Sequence, residues 1–85
     1  MKIQLRFFAS VREKLGSSGE LVELDAAITQ ASQVRALLVA RGGVWAEVLA
    51  SDRALRMAYN QQMIHGDMPL QDGGELAFFP PVTGG

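Results

Sequence analysis

The chain predicts a two-layer α+β domain, with one main helix packed across one face of a mixed sheet. Three observations carry this prediction. Strand-like segments lie near both ends of the sequence, the first of alternating polarity and the last apolar on both faces. Between them, one stretch places apolar residues at helical spacing. The composition is 48% hydrophobic without a long apolar run, which supplies one core and no membrane span. At 85 residues a single domain is expected.

Lys2 to Ala9 reads as the first strand, with Ile3, Leu5 and Phe7 on one face and Gln4, Arg6 and Phe8 on the other. Ser10-Val11-Arg12-Glu13 has the form of a capping box, Ser10 at N-cap and Glu13 at N3. The helix it opens is short, because Gly16 and Ser17-Ser18-Gly19 follow. Glu20 to Asp25 is a second strand, with Val22 and Leu24 facing one way. Thr29 or Ser32 then caps the main helix. Val34, Leu37, Leu38 and Arg41 fall at helical spacing, and Gly42-Gly43 marks its end. Val44 to Ala50 makes a further short helix with Trp45, Val48 and Leu49 inward. Arg56 to Tyr59 is a strand, Asn60-Gln61-Gln62 a turn, and Met63-Ile64 a short returning strand. Loop follows to Gly74. Glu75 to Phe79 is the last strand, with Leu76 and Phe78 opposite Ala77 and Phe79. It ends at Pro80-Pro81, which cannot donate to a ladder. The long helical connection allows the first and last strands to pair in parallel at the centre.

Charge and special residues exclude several functions. A net charge of −1 lacks the basic footprint that nucleic acid calls for. No secretory leader is read in Met1 to Arg6, and the absence of cysteine fits a cytoplasmic address. With no cysteine and one histidine, a zinc site is not expected. No Ser-His-Asp order, phosphate loop or carboxylate pair marks an independent enzyme. His65 reads as a solvated loop residue, Trp45 as core, and Met57, Met63 and Met68 as core or edge filler. Arg12, Arg53 and Arg56 read as solvated, and Asp67 and Asp72 as turn residues.

After Pro81 come Val82-Thr83-Gly84-Gly85. Residues 1–81 are read as the domain and 82–85 as a flexible tail. Prolines at the root hold the tail off the sheet, and glycines at the tip present no side chains. That combination suits threading a carboxylate into a narrow pocket on another protein.

The segment from Leu70 through Asp72-Gly73-Gly74-Glu75-Leu76-Ala77-Phe78-Phe79-Pro80-Pro81-Val82-Thr83-Gly84-Gly85 closely resembles the C-terminus of the MoaD family, the small subunits of molybdopterin synthase. Phe7-Phe8-Ala9-Ser10-Val11-Arg12-Glu13-Lys14-Leu15-Gly16 resembles that family's first strand and turn, and the elements between come in the same order. One departure is Gly74, where the family usually carries an acidic residue. The resemblance implies a β-grasp, ubiquitin-like fold and a sulfur carrier. An E1-like adenylating enzyme, using ATP, would activate the Gly85 carboxylate, and a sulfurtransferase would supply sulfur to give a thiocarboxylate. The carrier would then donate sulfur to cyclic pyranopterin monophosphate in molybdenum cofactor biosynthesis. Its partner would be the large synthase subunit, in a two-plus-two heterotetramer, and catalytic side chains would lie on that subunit. No cofactor would be bound permanently. Without cysteine, the carrier would hold sulfur on its terminus and not on a thiol. Rival readings are a carrier for thiazole or tRNA thiolation, a ubiquitin-like modifier of lysines, and a plain interaction module. The residues add one expectation: Phe8 and Phe79, on the face without a helix, form with the tail the partner surface.

Overall fold

Ile3, Leu5 and Phe7 alternate with polar neighbours along β1 (Lys2–Phe7), and all three are buried. In β5 (Glu75–Phe79) Leu76 and Phe78 share one face and are both fully buried. β1 and β5 lie side by side in parallel, in the register Leu5 opposite Leu76 and Phe7 opposite Phe78. The two inward stripes therefore merge into one apolar surface. Fully burying side chains of this size stabilises by ~1.5–3 kcal/mol each. Phe7 and Phe78 stack with ring centroids 6.0 Å apart, and Trp45 meets Phe7 edge-on at 5.6 Å.

The computed structural model describes residues 1–81. Around the central pair, β2 (Gly19–Glu23) is antiparallel to β1, β3 (Arg56–Tyr59) is antiparallel to β5, and β4 (Gln62–Met63) closes against β3. The strand order is β2-β1-β5-β3-β4. Helices α1 (Ala9–Leu15), α2 (Ala31–Val39) and α3 (Gly43–Leu49) cover one face, sending Val11, Val34, Leu38 and Leu49 into the core. The predicted α+β class and central parallel pair are both present. β3 and β5 keep their predicted bounds.

The helix ends depart from expectation. Ser10 does not cap α1. Phe8 is its N-cap residue, and the Phe8 carbonyl accepts from the amides of Val11 and Arg12 at 3.1 and 3.3 Å. The Phe8 amide still donates to Phe78 O at 3.1 Å, so one residue ends the sheet and opens the helix. That leaves Ser10 inside the first turn and Glu13 exposed with no capping role.

The N-cap of α2 is Gln30, not Thr29 or Ser32. Gln33 reaches back, its Oε1 accepting from the amides of Thr29 and Gln30 at 2.8 and 2.9 Å. Ser32 instead donates through its hydroxyl and amide to Asp67. Gly42-Gly43 does not end α2, which stops at Val39. Gly42, with φ 77°, is the N-cap of α3, and Gly43 is that helix's first residue. The C-terminal carbonyls of α3 are met by Arg35, which donates to Leu49 O at 2.7 Å and Ala50 O at 2.6 Å. Trp45 is half-buried, with the Arg41 guanidinium 4.4 Å over its ring. Arg41 in turn donates to both carboxylate oxygens of Glu20, which holds that carboxyl below its ordinary range.

Candidate functional site at the end of the last strand

β5 runs through the middle of the sheet and delivers Pro80 to its rim. Strand alternation turns Phe79 away from Phe78, onto the face that the helices leave open. Phe8 continues β1 in an extended conformation (φ −124°, ψ 156°), which turns its ring to the same open face. It is 47% exposed, while Phe79 is partly buried. The Phe8 N–H to Phe78 C=O bond fixes the two aromatic residues beside each other at the root of the tail.

Cross-strand register extends this surface. Arg6 lies opposite Ala77, Ala77 opposite Ala58, and Ala58 opposite Met63, so the four share the open face. Met63, read from the sequence as core or edge filler, lies on the edge strand β4 and is 49% exposed there. Met68 is likewise exposed, and Met57 packs against the core. Arg56 stands opposite Phe79 and is exposed. Arg6 donates to Glu75 at 3.2 Å along one side of the apolar strip. Leu21, 61% exposed on β2, pairs with Gln4 on this face. Ala58 and Leu21 were not singled out from the sequence, and Met63 was read there only as core or edge filler; which row each joins depends on strand register.

Pro80 and Pro81 are half-buried at the rim. Val82, Thr83, Gly84 and Gly85, the tail and its proposed reactive terminus, lie outside the described residues. His65, Arg12 and Arg53 are exposed. Among the described residues no trio of His, Asp or Glu is placed to hold a metal ion, and no helix is long and apolar enough to cross a membrane.

A mixed sheet with a central parallel pair, helices on one face, and the last strand ending in the middle is the β-grasp arrangement. The protein is of the ubiquitin-like class. More narrowly, the chain belongs to the ThiS family, whose sequence profile matches residues 5–85. It is 43% identical over 83 residues to the molybdopterin synthase sulfur carrier subunit of Escherichia coli K12, covering 98% of this chain and 99% of that one. Among solved structures, the small archaeal modifier protein 1 of H. volcanii superposes with a TM-score of 0.71 at 26% identity, covering 95% of this chain and 98% of the other. A chain from the protein–protein complex of subunits 1 and 2 of molybdopterin-converting factor from Helicobacter pylori 26695 matches with a TM-score of 0.69. Its identity is 24%, with full coverage of both chains, and it bears on the fold alone.

Proposed function

We propose that this protein is the sulfur-carrier subunit of molybdopterin synthase, working through a terminal carboxylate on Gly85. The observation that supports it best is the whole-length similarity to the E. coli carrier subunit, with 43% identity. The geometry fits: a central strand leads to a double-proline root, flanked by an exposed apolar face from which a tail can enter another protein.

The chemistry follows from the carboxylate. It is a poor acyl electrophile at neutral pH and has to be activated. A Gly85 carboxylate oxygen attacks the α-phosphorus of ATP on an E1-like adenylating enzyme, and pyrophosphate leaves. The terminal sulfur of a sulfurtransferase persulfide then attacks the acyl carbon and displaces AMP, and a thiol cleaves the resulting acyl disulfide to leave the thiocarboxylate. In the large synthase subunit the thiocarboxylate sulfur attacks cyclic pyranopterin monophosphate, and water then cleaves the acyl–sulfur bond, leaving sulfur on the pterin and restoring the carboxylate. The chain is thus a recycled co-substrate in a cytoplasmic two-plus-two assembly. Phe8, Phe79, Pro80 and Pro81 seat it, and Val82, Thr83 and Gly84 thread the terminus. The likeness to an archaeal modifier protein keeps conjugation to lysines as the second reading.

The test is the mass of the C-terminal peptide after incubation with activating enzyme, Mg-ATP and a sulfur donor, beside a chain lacking Gly85. Reading the peptide separates sulfur substitution from methionine oxidation. A sulfur-for-oxygen shift is expected that needs both ATP and Gly85. No shift with a competent activator, or isopeptide products on lysines, would overturn the proposal. For the sheet face, Phe79→Asp is expected to abolish measurable binding to the large subunit while the fold is kept. Unchanged affinity would remove Phe79 from the interface.

A further inference from the structure

The tail root has a second side. On the helical face, opposite the Phe8–Phe79 strip, Pro80 borders an open hollow of about 340 Å³. α1 contributes Ser10 and Lys14, α3 contributes Glu47, and the segment before β3 contributes Arg53. Lys14 and Arg53 are exposed and form no ion pair among the described residues. The Nε of Arg53 donates to the backbone carbonyl of Glu47 at 3.1 Å, which fixes the guanidinium stem and leaves its outer N–H groups for a ligand. Around the same pole stand Arg12, on α1, and Arg56, opposite Phe79, both exposed and without an ion pair among the described residues. The acidic groups at this pole are Glu13, Glu47 and Asp52, so four cations outnumber three anions. The remaining described side chains hold four cations against six anions, so the root sums to +1 and the rest of the chain to −2. The side-chain charge is thus modestly polarised, with its positive end where the last strand finishes.

We propose that this hollow is a second docking site, in which Lys14 and Arg53 clamp acidic side chains on the rim of the protein that receives the tail. The inference rests on the carrier reading. It adds that the receiving mouth grips the root from both sides, with an apolar wall against the open sheet face and a carboxylate-bearing wall against the helical face. Complementary charge of this kind acts mainly on the rate of encounter and on orientation. It also excludes partners with a basic mouth, even where their tunnel would take the same glycine tip.

The test is the association rate of the full-length chain with the isolated large subunit, followed across ionic strength. Lys14→Glu combined with Arg53→Glu is expected to slow association roughly ten-fold at low salt, with the difference vanishing once screening is strong. Lys14→Gln with Arg53→Gln gives a smaller effect in the same direction. It guards against misfolding from an acidic residue in the last turn of α1. Lys2→Glu, at the opposite end of β1, changes the rate less than the double reversal at every salt, because it reverses one charge and lies a strand's length from the root. Wild-type binding with both double variants unaltered at low salt overturns the proposal and leaves the carrier reading standing. No binding by the wild type at any salt overturns both. Faster association of the charge-reversed chain overturns the proposal too, because it reports a basic rim on the partner.

Discussion

Gly74 shows how one residue can be tied to one neighbour. It is buried at the start of β5, and a Cβ placed on it would lie 2.7 Å from ring carbons of Tyr59. Tyr59 cannot easily move away. Its hydroxyl accepts from the Gln71 amide at 2.8 Å and donates to the Gln71 carbonyl at 3.3 Å. The missing acidic residue at this position is thus a packing matter as well as a turn matter, because the ring occupies the space a side chain would need. Gly74→Asp is expected to destabilise by ~1–3 kcal/mol, the usual cost of overpacking. In a Tyr59→Leu background the same change should cost markedly less. Urea unfolding of the four proteins of this double-mutant cycle measures the coupling, and simple additivity would refute the contact.

At the scale of elements, α2 is anchored through Asp67, which accepts from the Ser32 hydroxyl, the Ser32 amide and the Met68 amide. Those bonds favour the ionised form and hold the Asp67 carboxyl below its ordinary range, the Ser32 hydroxyl acting most strongly. A carboxyl whose folded value is depressed adds stability above its unfolded value, near 4, and loses it as pH falls through the folded value. The stability difference between wild type and Asp67→Asn should therefore be constant from neutral pH down to about 5. Below ~4 it should shrink. Asp67 is exposed, so the plateau is expected to be no more than ~1 kcal/mol. Denaturation at stepped pH reads it, and a difference that grows with acid would contradict the assignment. The same anchor explains why the cap of α2 was not legible in the sequence: Ser32 is drawn to a residue far along the chain, leaving Gln33 to serve the helix end. Phe8 likewise takes the start of α1 from Ser10 because its amide is held by β5. Strands were more legible. β3 and β5 stop at turn or breaker residues, Asn60 and Pro80, and β5 starts after Gly73-Gly74, so punctuation located them even though their polarity does not alternate. At the candidate site, Phe8 and Phe79 were readable as out of phase with the core, whereas Met63 and Ala58 needed the register.

For the whole molecule, the topology grades stability across the sheet. β1 and β5 are each bonded on both sides, β3 is bonded to β5 and β4, and β2 and β4 form the edges. Native-state amide exchange should rank them accordingly, with β1 and β5 opening only at the global unfolding free energy and β4 the least protected. Protection of β4 equal to that of β5 would count against this arrangement. The central parallel pair has a mechanical consequence as well. The chain enters the sheet at one end of β1 and leaves at the far end of β5. Tension between the two termini therefore runs along the strands. The hydrogen bonds joining them are loaded together, as in a lap joint under shear, and cannot be unzipped one after another. A partner that tugs on the tail to draw it from a tunnel pulls against this joint, and the body can follow intact.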